Sequence, residues 1–207
     1  SGQFQRTAAH SLGNSQAQTR FATKLAFFAG LGRALYENSG VINDPKNKAR
    51  LGQLAGQCHL PEAFLQAAER NWFLDGYGVA NPDHATLYAA MTMQPKLMNE
   101  IIFLLREMSG GSVIQLPSSV AAYDHATCAA DIDRYIRWPN ASSDERVALL
   151  NLVWDAIGSE FAGRHLQYEM FYAGDPSVVQ MRSFGSYHWD RSRTLVDGVL
   201  NRSAAPT

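Results

Sequence analysis

The chain has 207 residues, 46% of them hydrophobic, and a formal net charge of −1. This length suffices for one or two domains with a sizeable core, and the apolar content excludes a disordered chain, although no apolar run is long enough to cross a bilayer. The near balance of 18 Lys and Arg against 19 Asp and Glu provides no basic field that would hold nucleic acid or an anionic membrane surface.

Residues 16–36 carry apolar side chains at helical spacing and predict a first helix. Gly40 fits the end of this helix, and Asp44 followed by Pro45 fits the N-cap and first turn of the next. One side of the first helix is polar and cationic, with Gln16, Thr19, Arg20, Thr23 and Lys24. That stripe is either a solvent-exposed face or a surface that contacts an anionic cofactor across a subunit boundary.

The second helix, which begins at this cap, is predicted to run through Leu51 and on to Trp72, with a break or kink at Pro61, and Gly76 and Gly78 mark the following loop. A third begins near Pro82, is kinked or divided at Pro95, and ends at Gly110.

The second half of the chain has weaker but readable signals. Residues 112–125 predict an irregular connection that packs against a ligand or another domain. A short helix over 126–138 follows, and then Ser142 and Glu145 predict a capping box at the start of another helix. Asp175-Pro176 fits the start of a last helix, and the sequence from Arg182 onward predicts a loose end.

The fold class predicted from these patterns is an all-α, up-and-down helical bundle with at most two short strands. We expect residues 1–175 to form the bundle and residues 176–207 to form a C-terminal extension that is partly helical or loose. Exposed apolar side chains would promote self-association, and the residues that suggest it are Phe21, Phe27, Phe28, Trp72 and Met91.

The sequence contains no motif typical of a metal site or of a catalytic nucleophile. No Glu is followed three residues later by His, as a di-iron bundle requires, and Cys58-His59 is a poor chelating pair on a helix. Ser118 and Ser119 lack a nucleophile-elbow motif. Two cysteines are too few for a disulfide framework and no leader segment opens the sequence, so we expect no metal, reduced thiols and a cytoplasmic location.

The stretch over residues 154–169 is unusual for a helix because Gly158 and Gly163 interrupt it. Glu160 with Arg164, and His165 with Glu169, have the i,i+4 spacing of helix ion pairs. Spacing alone leaves two interpretations open. Either these are ion pairs on a solvated face, or the glycines, Arg164 and backbone amides bind a phosphate-bearing cofactor.

The chain resembles the C-terminal domain of the 4-hydroxyphenylacetate 3-monooxygenase oxygenase family over residues 10–175. The matching segments are Leu116-Pro117-Ser118-Ser119, the string from Trp154 to His165, Tyr168-Glu169, Tyr172-Ala173-Gly174, and Gln16-x-x-x-Arg20-x-x-x-Lys24-Leu25. Of these, Gly-Ser-Glu-Phe-x-Gly-Arg-His is the most specific. Ala162 stands where glycine is frequent in the family, and Pro61 is a second departure.

The resemblance implies an acyl-CoA-dehydrogenase-like subunit that hydroxylates phenols next to the hydroxyl, using reduced FAD from a separate flavin reductase. It implies a homo-oligomer, expected to be a tetramer, and no catalytic residue within this chain, because the substrate-binding half precedes the matched region. The expected FAD-contacting residues are Gly158, Ser159, Glu160, Phe161, Ala162, Gly163 and Arg164, with Gln16 and Arg20 reaching the cofactor of a neighbouring subunit.

The sequence allows two other interpretations. The 4-hydroxybutyryl-CoA dehydratase branch of the superfamily is disfavoured because Ala17 stands where a cysteine would follow His10. A stand-alone helical assembly module without catalysis is the alternative function, in which the polar stripes are ordinary solvent faces.

Overall fold

A computed structural model describes residues 7–200, and helices dominate it. The helices are α1 (Ala8–Asn38), α2 (Pro45–Arg70), α3 (His84–Ser109), α4 (Ala121–Asp124), α5 (Ala126–Tyr135), α6 (Ser143–Ile157), α7 (Glu160–Phe171), α8 (Pro176–Ser186) and α9 (Trp189–Val199). A 3-10 helix spans Gly110–Ile114 and overlaps the start of the 112–125 connection that was expected to be irregular, and α4 lies near the end of that connection. Two-residue strands β1 (Phe73–Leu74) and β2 (Ala80–Asn81) form an antiparallel hairpin in which Phe73 pairs with Asn81. The all-α prediction is confirmed.

The core lies where α1, α2 and α3 pack against one another and against α6. Its fully buried side chains include Phe21, Leu25, Leu54, Met98, Ile101, Leu105, Leu150 and Ile157. Apolar side chains repeat every three or four residues along α1 and α3, so each long helix turns one stripe towards this shared interior. The connection after α3 and helix α8 cover further parts of α3.

The predicted helix ends have the expected local chemistry. The Asp44 carboxylate accepts from the backbone N–H of Lys46 at 2.8 Å, and Gly40 has a φ of +76°. Ser142 and Glu145 form both hydrogen bonds of the capping box, at 3.2 Å and 2.8 Å. These signals are confirmed because they depend on residues only two or three positions apart.

Several sequence-based expectations were wrong. Helices α2 and α3 continue past Pro61 and Pro95, so neither helix is broken at its proline, since packing of α2 and α3 against the core outweighs the backbone hydrogen bond that each proline removes. Trp72 follows the end of α2 and is 56% exposed. The segment after Arg182 is helical to Ser186, and α9 forms beyond it.

Among residues 7–200, no helix is both long enough and apolar enough to span a bilayer.

Gly32 sits where α1 approaches α2 and α3 most tightly. A Cβ at this position would lie 2.6 Å from Leu54 Cδ2 and 3.0 Å from Met108 Cε. We predict that Gly32→Leu lowers the free energy of unfolding by about 1–3 kcal/mol, because the added side chain would overpack the interior. Urea unfolding measures this change. The control is Gly30→Leu, whose Cβ meets no atom within 4 Å, and equal stability of the two variants would contradict the prediction.

Candidate functional site

The glycine-interrupted stretch forms two helices instead of one. Helix α6 ends at Ile157, and Ser159 caps α7 by accepting from the backbone N–H of Ala162 at 3.2 Å. A Cβ on Gly158 would lie 2.3 Å from a ring carbon of Trp154, so only glycine allows the turn beside this indole. The expectation of one continuous helix is corrected: the chain changes direction at Gly158.

Arg106, on α3, fixes the place where α6 stops. Its Nε and Nη2 both donate to the carbonyl oxygen of Ile157, at 3.2 Å and 2.7 Å. This oxygen belongs to the last residue of α6, where helix carbonyls lack partners within the helix. A cation from another helix therefore holds the α6–α7 junction, and no local sequence pattern indicates this interaction.

Most residues of the Gly158–Arg164 segment lie on the surface. Phe161 is 60% exposed, and Gly163 has open space where a Cβ would lie, whereas Ala162 is buried. Arg164 Nε donates to Glu160 Oε1 at 3.1 Å, so this i,i+4 pair forms as spacing suggested. With both side chains largely exposed, this pair alone adds little stability.

The other predicted pair, His165 with Glu169, is replaced by contacts to α1. Glu169 is 2% exposed, and its carboxylate is bound by Arg20 and Lys24. Lys24 Nζ also lies 2.8 Å from His165 Nδ1, so the ammonium stands between the two side chains that spacing had paired. The sequence stripe on α1 and the string on α7 thus meet in space.

Two buried glutamines complete the surroundings of Glu169. Gln94 Nε2 on α3 donates to Glu169 Oε2 at 2.7 Å, and Gln18 Nε2 on α1 donates to Gln94 Oε1 at 2.6 Å. This network links three helices around one carboxylate. Sequence reasoning missed both glutamines because neither stands in a motif.

Aromatic rings cover the guanidinium of Arg20. Its Cζ lies 4.5 Å from the ring centre of Tyr168 and 5.1 Å from that of Tyr172. Tyr172 Oη donates to Gln16 Oε1 at 3.4 Å. The structure therefore brings Gln16 and Arg20 against α7 of the same chain.

A groove of about 460 Å³ opens between α1 and the α6–α7 pair. It is lined by Arg20, Thr23, Lys24, Phe27, Phe28, Leu152, Asp155, Ala156, Phe161 and His165. A second concavity, of about 590 Å³, shares four of these residues and adds Arg164 and Tyr168. The two together form an aromatic-lined depression with cationic side chains on one edge, which we call the α1–α7 groove.

The imidazole of His165 is kept neutral within this groove. Burial lowers its pKa, and the nearby charges of Lys24 and Arg20 lower it further, whereas Glu169 acts in the opposite direction. The ring lies 4.1 Å from that of Phe161, centre to centre.

Other reactive side chains do not form a second centre in the described part of the chain. No group of three or more His, Cys, Asp or Glu residues there could hold a metal ion. Burial raises the pKa of Cys58 to about 12, and its thiol donates to the carbonyl of Leu25 at 3.1 Å. Because the thiol stays protonated, Cys58 serves in packing and not as a nucleophile.

The long helices and the groove at their edge define an all-α helical domain with an aromatic-lined surface. The family model described as 4-hydroxyphenylacetate 3-hydroxylase C terminal matches residues 1–201, and the chain belongs to this family.

Individual relatives agree with this assignment. The chain is 29% identical over 193 residues to the 4-hydroxyphenylacetate 3-monooxygenase oxygenase component of Klebsiella oxytoca, covering 90% of this chain and 37% of that protein. It is 28% identical over 174 residues to the 4-nitrophenol 2-monooxygenase oxygenase component of Rhodococcus sp, covering 81% of this chain and 33% of that protein. The chain thus spans about a third of the length of these relatives.

Solved structures share the fold. The oxygenase component of 4-hydroxyphenylacetate 3-monooxygenase complexed with FAD and 4-hydroxyphenylacetate superposes with a TM-score of 0.88 at 23% identity, covering 96% of this chain and 41% of that one. An archaeal 4-hydroxybutyryl-CoA dehydratase from N. maritimus gives 0.85 at 15% identity, covering 95% and 40%. The second likeness agrees with the predicted acyl-CoA-dehydrogenase-like fold.

Glu169 is predicted to be critical for stability, in contrast to Glu160 on the same helix. Glu169→Ala would leave Arg20 and Lys24 without their shared buried anion, and we expect a loss of about 3 kcal/mol in the free energy of unfolding. Glu160→Ala removes only an exposed pair and should cost less than about 0.5 kcal/mol. Chemical unfolding of both variants tests this difference, and similar losses for the two would disprove it.

Proposed function

We propose that this chain is the FAD-contacting and oligomer-forming C-terminal domain of a reduced-FAD-dependent phenol ortho-hydroxylase. Family membership supports the enzyme class. The observation that carries the cofactor proposal is the α1–α7 groove, where an aromatic-lined depression lies beside Arg20, Lys24 and Arg164. A dinucleotide has the matching chemistry, since it joins planar rings to a pyrophosphate.

The residues present fit such a cofactor in two ways. Arginine and lysine bind phosphate oxygens through charge-assisted hydrogen bonds, and Arg164 is exposed at the rim of the groove. The backbone N–H groups of Glu160 and Phe161 lie in the first turn of α7, where helix N–H groups lack partners within the helix and favour anions. Gly163 leaves space for a close approach.

Reduced FAD, supplied by a separate flavin reductase, would activate dioxygen for transfer to a phenol. The part of the reaction assigned to this chain is binding. Gly158 to Arg164 would hold the cofactor, Gln16 and Arg20 would support it, and the apolar groove would exclude water. Residues that bind the phenol and act catalytically are assigned to the rest of a longer polypeptide, in a cytoplasmic enzyme.

We predict that Arg164→Ala in the complete oxygenase weakens reduced-FAD binding about ten- to a hundredfold. The reason is the loss of one charge-assisted contact, worth roughly 1.5–3 kcal/mol. Gly163→Leu should cause a similar loss by filling space while leaving the charge unchanged. Anaerobic titration with reduced FAD measures both dissociation constants.

The matched control for this titration is Arg193→Ala. Arg193 is an exposed arginine in an i,i+4 pair with Asp197 on α9 and does not line the groove. An unchanged dissociation constant for Arg164→Ala would remove this residue from the site. It would then favour the alternative interpretation, in which Glu160 and Arg164 are a plain surface pair of a helical assembly module.

The oligomeric part of the proposal rests on exposed apolar side chains. Phe21, Phe28 and Met91 are buried, so they do not promote self-association as the sequence suggested. Phe27 and Trp72 are exposed, and α9 adds a further set with Leu195, Val196 and Val199. A second copy of the chain could cover these surfaces.

We therefore expect self-association to a tetramer. Sedimentation velocity at micromolar concentration should show a species several times heavier than the 22.8 kDa chain. A single 22.8 kDa species across the micromolar range would contradict the oligomer-forming role and leave the cofactor proposal intact.

A further inference from the structure

His165 is held in one protonation state and one tautomer by its neighbour on α1. The Lys24 ammonium, which contacts the Glu169 carboxylate, has only hydrogen-bond donors. It lies 2.8 Å from His165 Nδ1, so Nδ1 must be the acceptor. The imidazole is therefore neutral, and its remaining proton is on Nε2.

The surrounding charges favour the same state. Lys24 and Arg20 from α1 face the ring, Glu169 lies one turn further along α7, and Asp155 from α6 lines the groove. The two cations and burial together oppose protonation of the imidazole, and Glu169 is already bound by both cations. His165 thus offers one fixed N–H donor.

This donor belongs to the wall of the α1–α7 groove. The ring stands against Phe161 and shares the lining with Phe27, Phe28 and Leu152. Within residues 7–200, no side chain or backbone atom is hydrogen-bonded to Nε2. A directed neutral donor in a mainly apolar, aromatic wall is the arrangement that orients a planar ligand.

We propose that His165 Nε2–H donates to an acceptor atom of a fused-ring heterocycle bound in the groove, a carbonyl oxygen or ring nitrogen of FAD. This inference rests on the proposed function, because it assigns the flavin or adenine ring system to the apolar part of the groove. Lys24 is the positioning residue, since it acts on the ligand through the tautomer of His165.

Two substitutions of His165 distinguish the effect of its N–H donor from the effect of its aromatic ring. His165→Phe keeps an aromatic ring but has no donor, and it should weaken reduced-FAD binding about tenfold in the complete oxygenase. His165→Gln places an amide N–H near the position of Nε2 and should change the dissociation constant by at most about twofold. Thermal unfolding checks that both variants are folded.

Titration with reduced FMN, which lacks the adenine half of FAD, shows which ring system carries the atom that accepts from His165. A tenfold loss with both FAD and FMN for His165→Phe assigns the acceptor to the flavin ring. A loss with FAD alone assigns it to adenine. Either result supports the donor role.

Footprinting of the unsubstituted protein gives a readout that does not depend on folding of a variant. Diethylpyrocarbonate modifies neutral imidazoles, and peptide mass spectrometry reports each histidine separately. Bound reduced FAD should slow modification of His165 several-fold, whereas His188, an exposed residue outside the groove, should react at an unchanged rate.

The outcomes distinguish this inference from the proposed function. Equal affinity of His165→Phe and the unsubstituted oxygenase, with no protection of His165, would overturn the donor role while FAD binding itself stands. Failure of the unsubstituted oxygenase to bind reduced FAD would overturn both.

Discussion

The buried carboxylate of Glu169 is the constraint on which the rest of the site depends. A carboxylate that is 2% exposed must be surrounded by donors, because an unpaired buried charge is strongly unfavourable. Arg20 and Lys24 from α1 and Gln94 from α3 supply them. Since these donors come from two other helices, they fix the rotation and depth of α7 in the bundle.

That requirement also sets the electrostatics of the α1–α7 groove. Two cations share one anion, so the cluster keeps a net positive charge beside the groove while neither cation lies unpaired. The neutral imidazole of His165 adds a donor without adding charge. A surface of this kind attracts an anionic ligand and still presents an apolar wall to a ring system.

The sequence predicted the parts of the fold that depend on near neighbours. The Asp44 N-cap and the Ser142–Glu145 capping box were predictable because their partners are two or three residues away. The ion pair between Arg20 and Glu169 was not predictable, since Arg20 lies 149 positions earlier in the chain. Spacing paired His165 with Glu169, and tertiary packing placed Lys24 between them.

The turn at Gly158 is a second feature that depends on contacts between distant residues and so could not be predicted from the sequence. The sequence marked Gly158 and Gly163 alike as small residues in a helix, but their structural roles differ. At Gly158 the Trp154 ring leaves no room for a Cβ, whereas at Gly163 the space is open. Arg106 from α3 holds the chain direction after Ile157. That direction places the Trp154 ring against Gly158, where glycine is required, and leaves Gly163 open to other residues.

Stability alone is a poor reason for the polar cluster, and this favours a binding role over a plain assembly module. A buried ion pair contributes little net free energy, because desolvation offsets most of the attraction, and well-packed apolar side chains can fill the same volume at equal or better stability. Hydrophobic residues in place of the whole cluster, Gln18 and Gln94 included, would join the three helices equally well. They would not, however, fix the tautomer of His165 or place positive charge beside an aromatic groove. The features that packing does not require are those that a planar, anionic cofactor would use.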